Sequence, residues 1–70
     1  VHMTDINKKV GKKIRNYRKE KGWSQEKLGF EAGLHRAYIG QIERGEKKIG
    51  LINLEKFSKA LGIKLSELVK

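Results

Sequence analysis

The chain reads as all-α. No segment shows the sustained period-2 alternation of a half-buried strand. Gly22, Gly33, Gly45 and Gly62 each follow a helix-like segment, where a residue with positive φ closes a helix. With 70 residues and neither cysteine nor proline, no disulfide or thiolate–zinc site can staple the fold. A chain this small folds alone only if it is locally regular, which favours a compact helical bundle.

The glycines divide the sequence into five pieces. The first helix is predicted from about Ile6 to Lys21, where Ile6, Val10, Ile14 and Tyr17 recur at i, i+4, i+8 and i+11 as an amphipathic stripe. Thr4 or Asp5 stands ready to cap it. Its other faces carry Lys8, Lys9, Lys12, Lys13, Arg15, Lys19 and Lys21, either a solvated basic face or a phosphate-contacting one. Val1-His2-Met3 reads as the remnant of a cleaved tag, which leaves residues 4–70 as one domain and removes His2 from any metal argument.

The second helix runs from Gln25 to Ala32 behind Ser24, a good N-cap, with Trp23 and Leu28 at hydrophobic-staple spacing. The third is expected from about Arg36 to Arg44, roughly 13 Å long at 1.5 Å per residue. Leu34 and Ile39 have staple spacing around His35, which is a weak cap by residue type. Ile39 and Ile42 point inward, and Arg36, Ala37, Gly40, Gln41 and Arg44 fall on the other sides. After a loop from Gly45 to Gly50, the fourth helix covers about Leu51 to Leu61, with Leu54, Phe57 and Leu61 on one face. Ile63, Leu65 and Leu68 mark a short fifth helix ending near Val69, and its completion favours a full-length chain.

Seventeen Lys and Arg against eight acidic residues give a net charge of +9 and a pI near 10.1. That excess implies a polyanionic partner, most simply nucleic acid. A basic helix lying on an anionic membrane is the other reading of charge, but it needs a wide apolar face and the stripe on the first helix is narrow. No apolar run is long enough for a transmembrane or secretory segment, so a cytoplasmic protein is expected. Catalysis finds little support: there is no cysteine, His35 is the histidine outside the tag, and Asp5 is the sole aspartate. No phosphate loop or metal-ligand spacing is present, so neither an enzyme nor a metal or other cofactor is expected.

Two short helices joined by Ala32-Gly33-Leu34 have the dimensions of a helix-turn-helix, with the second helix free on one side. A major groove admits one α-helix, whose N-terminal residues then reach base edges. Arginine pairs bidentately with guanine, glutamine with adenine, and an alanine methyl touches the thymine methyl. Arg36, Gln41 and Ala37 supply those chemistries from one helix.

Residues 23–45, WSQEKLGFEAGLHRAYIGQIERG, resemble the helix-turn-helix of the Cro/C1 (Xre-like) family of phage repressors and bacterial regulators. The likeness extends from about Val10 to Leu68 and includes NLEKFSKALGI. It is carried by S-Q-E-x-L, A-G-L and Y-I-x-x-I-E-R-G at fixed spacing. Within the family, LHRAYIGQIERG is most similar to the controller proteins of restriction–modification systems. The resemblance implies a compact five-helix, lambda-repressor-like domain that binds double-stranded DNA through its second and third helices.

It also implies roles. Gln25 would bond a backbone phosphate and anchor the third helix, and Ser24 would be foremost a cap with a secondary phosphate contact. Arg36 would read a base edge. Ala37 and Gln41 face the same groove as base contacts or as bystanders. Tyr38 donates its hydroxyl to a phosphate or packs at the rim; His35 touches phosphate or simply begins the helix. Arg44, Lys47 and Lys48 would clamp the flanking backbone, giving affinity without sequence information. Arg18 is expected to pair, largely buried, with Glu43, the alternative being a surface Glu43 near Arg44.

Departures from the family pattern are Gly40, which removes one potential base contact or instead permits close approach of the backbone to DNA; Gly29, in place of alanine, which either lets the two helices approach closely or loosens their packing; and Lys64, in place of a serine-like cap, expected to let the fifth helix fray. One short helix reads only a few base pairs, so specificity calls for a homodimer on half-sites one turn apart, roughly 34 Å. Leu65, Leu68 and Val69 are the expected dimer surface, unless they simply close the core. The competing reading is an antitoxin or coactivator-type module whose partner is a protein, such as a toxin or RNA polymerase. Fold alone does not separate the two.

Overall fold

The computed structural model describes residues 3–70, with side chains from residue 6 onward. Its helices are α1 (Met3–Glu20), α2 (Gln25–Ala32), α3 (Arg36–Glu43), α4 (Leu51–Leu61) and α5 (Leu65–Val69). Glycine sets the stops: Gly22, Gly33, Gly45 and Gly62 all have φ near +70°, between 69° and 73°. Only a residue without Cβ takes that conformation at no steric cost.

Side chains set the starts of α2 and α3. Ser24 Oγ accepts the Lys27 N–H at 3.0 Å and opens α2. His35, expected to be a weak cap, nonetheless caps α3, its Nδ1 accepting the Ala37 N–H at 3.0 Å. That bond places the ring proton on Nε2. α1 starts at Met3, so Thr4 and Asp5 lie inside its first turn and neither precedes the helix as an N-cap. No glycine or proline stands ahead of Ile6 to stop the helix there. The tag expectation falls, for Val1 and His2, outside the described residues.

The core gathers one stripe from every helix: Val10 and Ile14 of α1, Leu28 of α2, Ile39 and Ile42 of α3, Leu54, Phe57 and Leu61 of α4, and Leu68 of α5. Tyr17, Trp23, Leu34, Tyr38, Ile49 and Ile63 pack around it. Ile6, expected in the α1 stripe, is 49% exposed and lines an open groove beside Val10 and Leu54 instead of entering the core. Leu68 needs the opposite correction. It is fully buried, so of the three residues assigned to a dimer surface it closes the core, while Leu65 and Val69 remain exposed.

Close backbone crossings fix how α1, α2 and α3 meet. α1 passes over the C-terminal end of α3 at Gly11, where an added Cβ would overlap the Ile42 carbonyl oxygen and press on that of Glu43 at 3.1 Å. Of the two readings of Gly29, close approach holds and loosened packing does not. A Cβ there would lie 2.5 Å from the Leu34 carbonyl oxygen, so glycine lets the turn fold against α2. The Leu34 N–H bonds back to the Gly29 carbonyl at 2.8 Å.

α5 has no side-chain cap at Lys64, but its other end is held. Lys13 Nζ, on a face read as either solvated or phosphate-contacting, donates to the Lys70 carbonyl at 2.6 Å and to that of Glu67 at 3.4 Å. A cation there also complements the negative end of the helix.

Candidate nucleic-acid interface

α3 is anchored from behind by one polar cluster. Arg18 Nε and Nη2 donate to the two Glu43 carboxylate oxygens at 2.6 and 2.9 Å, and Arg18 Nη1 donates to the Trp23 carbonyl at 2.7 Å. The side chains are 9% and 2% exposed. Glu43's hydrogen bond is the main cause that raises the Arg18 pKa above its already high ordinary value, so Arg18 is charged at any working pH. Gln25 Nε2 gives Glu43 a further bond at 3.1 Å. The first turn of α2 and the end of α3 are thereby locked to α1, and no buried side-chain nitrogen or oxygen among the described residues lacks a partner.

On this support α3 turns its N-terminal residues outward. Arg36 and Ala37 are exposed, and Gln41 is half-buried. Arg36 lies 3.6 Å from Glu26 of α2, a solvent-exposed pair of small energetic weight. Its guanidinium is therefore free to reorient. Tyr38 is half-buried at the rim, and its hydroxyl accepts a bond from Asn53 Nδ2 at 3.0 Å. The hydroxyl proton is left to donate outward. Sequence reasoning did not single out Asn53, because the Tyr38–Asn53 contact joins helices that carry no motif linking them.

Gly40, placed by helical spacing among the outward positions, is buried. A Cβ there would sit 3.1 Å from Arg44 Nη1 and 3.4 Å from Gln25 Oε1, so these two side chains lie across it. Arg44 is the C-cap of α3 rather than its last turn. It grips Glu46 through Nε at 2.7 Å and Nη2 at 3.2 Å. That hydrogen bond holds the Glu46 carboxyl below its ordinary pKa and raises that of Arg44. Lys47 and Lys48 are exposed in the following loop. Lys48 stands over a groove lined by Ile6, Asn7, Val10, Ile49, Leu54 and Val69, apart from the cleft that holds Arg44.

The exposed chemistry is thus a short helix bearing an arginine and a methyl, flanked by amide, hydroxyl and cationic donors. Among the described residues no group of His, Asp and Glu is placed to hold a metal ion, and no helix is long and apolar enough to cross a membrane. Net charge of +9 favours a polyanionic partner.

Known proteins agree with that geometry. The helix-turn-helix family HTH_3 matches residues 14–68. The control protein C.BamHI of Bacillus amyloliquefaciens is 52% identical over 60 residues, which span 84% of this chain and 74% of that protein. The crystal structure of the restriction–modification controller protein C.AhdI from Aeromonas hydrophila superposes with a TM-score of 0.86 at 44% identity, covering 89% of this chain and 94% of that one. SinR, described as the master regulator for biofilm formation and crystallised in complex with DNA, gives a TM-score of 0.83 at 35% identity, covering 87% of this chain and 98% of that one. By the extent of these matches, the chain belongs to the helix-turn-helix family of DNA-binding transcription regulators.

Proposed function

We propose that this protein is a sequence-specific regulator that binds an inverted-repeat operator in duplex DNA as a homodimer, with α3 in the major groove. The observation that carries the reading is the exposed pair Arg36 and Ala37 at the start of a helix whose other end is locked by Arg18, Glu43 and Gln25. α3 is eight residues long, about 12 Å at 1.5 Å per residue. A helix of that length contacts only a few base pairs, and a second copy supplies the rest of the specificity. Likeness to C.BamHI and C.AhdI supports a controller role in a restriction–modification system, exercised in the cytoplasm where the chromosome lies.

Arg36 is the reader in this proposal, Gln25 and Tyr38 orient the protein on phosphates, and Ser24 and His35 hold the helix starts. Ala37 and Gln41 line the groove, and Arg44, Lys47 and Lys48 supply non-specific affinity. Leu65 and Val69, which stay exposed, remain the candidates for contact between copies.

Selection from a randomised duplex pool at about 150 mM salt tests the reading, since lower salt exaggerates non-specific binding. The expected result is an enriched inverted repeat with half-sites about one turn apart and a dimer by sedimentation. Retention without enrichment would sink it and favour a protein partner. On the selected operator, Arg36→Ala is expected to cost about 1–3 kcal/mol and to relax preference at one base position per half-site. Equal weakening on every sequence would remove Arg36 from the reading role.

A further inference from the structure

α2 and α3 begin on different chemistry. α2 starts behind Ser24, a hydroxyl cap that does not titrate, and carries Glu26 in its first turn. α3 has no acidic residue in its first turn, where Arg36 stands instead. Its side-chain cap is the imidazole of His35, whose Nδ1 accepts the Ala37 N–H at 3.0 Å. The His35 carbonyl takes the next two N–H groups, from Tyr38 at 3.0 Å and Ile39 at 3.2 Å. What the side chain contributes is therefore one lone pair, present only while Nδ1 is unprotonated. Imidazole is the side chain whose charge ordinarily changes between pH 5 and 8. Because Nε2 already carries the first proton, a second goes to Nδ1 and sets one N–H against another. It also places a positive charge at the positive end of α3, next to Arg36. The ring lies in an open groove with Phe30, Leu34 and two charged neighbours, Arg36 of α3 and Glu26 of α2. Those two are paired with each other at 3.6 Å, and the groove has no second carboxylate to hold an imidazolium in place. His35 is exposed, so a protonated ring is free to swing into water.

We propose that His35 is a positioning residue that makes operator reading proton-dependent: the neutral ring holds the first turn of α3 in place, and protonation releases it. The proposal rests on the duplex-binding reading above and adds a regulation of that site. α3 is eight residues long, so its first turn of 3.6 residues is nearly half of it. Arg36 and Ala37 sit in that turn, while the far end stays locked by Arg18 and Glu43. Protonation thus loosens the reading end and leaves the fold standing. By linkage, binding that requires the neutral ring expels the His35 proton, and affinity falls as pH falls through the imidazole range. A phosphate contact, the other role open to His35, has the opposite sign. There an imidazolium gains a partner, a proton is taken up, and binding tightens as pH falls.

The test measures operator affinity from about pH 8 to about pH 5.5, across the imidazole range, at constant ionic strength. It compares the wild-type protein with His35→Asn, a cap that does not titrate, and His35→Ala, which removes the cap. Taken as a ratio to His35→Asn, wild-type affinity is expected to fall roughly fivefold per copy, about the worth of one N-cap. For a dimer that is about 25-fold, two caps being lost. The ratio cancels the titration of every other group in protein and DNA. His35→Ala is expected to follow the flat profile of His35→Asn at lower affinity. Parallel profiles for wild type and His35→Asn, with the operator bound, would overturn the switch and leave the DNA-binding reading intact. A wild type that tightens at low pH relative to His35→Asn would replace the switch with a phosphate contact. Failure of the wild type to bind duplex at any pH would strike the DNA-binding reading, and the proposal with it. The Ala37 amide signal, followed by NMR without DNA, tests the cap separately. It is expected to lose its hydrogen-bonded shift as pH falls in the wild type and to keep it in His35→Asn. An Ala37 amide unmoved across that range would overturn the switch whatever the DNA does.

Discussion

Gly11→Ala is expected to destabilise the domain by about 3 kcal/mol, at the upper end of overpacking effects. For a domain of this size that lowers Tm by roughly 12–24 °C, at about 4–8 °C per kcal/mol. The sign is not what helix propensity gives, since alanine in a helix interior is better than glycine by about 0.8–1.0 kcal/mol. Geometry decides. The added methyl meets the Ile42 and Glu43 carbonyl oxygens, which are backbone atoms at the end of α3 and cannot turn away as a side-chain tip can. α1 and α3 would have to part, and Arg18–Glu43 spans that same junction. Gly40→Ala is the internal control. Its methyl meets only the ends of Arg44 and Gln25, so the propensity gain survives and stability should rise by up to about 1 kcal/mol. Thermal melts of the two variants give opposite signs if the crossing is as tight as described. A Gly11→Ala protein that melts with the wild type would show that it is not.

That contrast marks what the sequence could and could not reveal. Helix ends were legible because local chemistry fixes them: Ser24 offers an oxygen to the Lys27 N–H, and Gly33 and Gly62 adopt the left-handed backbone that ends α2 and α4. The inward stripes of α3 and α4 followed from helical period alone, and Ile39, Ile42, Leu54, Phe57 and Leu61 are all buried. What depended on a distant partner was not legible. Nothing in the sequence singles out Gly11 until the end of α3 is placed against it, and the choice between close approach and loosened packing at Gly29 is settled only by the Leu34 carbonyl beside it. Leu68 and Ile6 exchanged places between surface and core because periodicity gives a face and not the neighbour that covers it. Lys13 and Arg15, two positions apart on α1, are alike in sequence terms. One caps α5 and the other opens on the cleft beside Gln25.

Arg18→Met should be the most damaging single change outside the glycines, and its reason is charge rather than space. The Glu43 side chain is 2% exposed, so removing the guanidinium strands a carboxylate with only the Gln25 amide to solvate it. Breaking one side of a buried pair costs about 3–5 kcal/mol, a large share of the roughly 5–15 kcal/mol that holds an ordinary domain together. Glu43→Gln should be milder, because a neutral amide can still accept from Arg18 through its oxygen. Replacing both partners, as Arg18→Met with Glu43→Leu, is expected to recover much of the loss, since apolar residues of similar volume often substitute for such pairs without penalty. Denaturant midpoints of the three proteins test this, and a double variant no better than Arg18→Met would mean the pair stabilises by more than avoiding an orphan charge. Recovery of stability should not restore operator binding in full. Gln25 would have lost its tether to the end of α3, and a phosphate contact that must be ordered on binding is weaker than one already in place. A stable double variant that binds the operator as the wild type does would show that the cluster serves the fold alone.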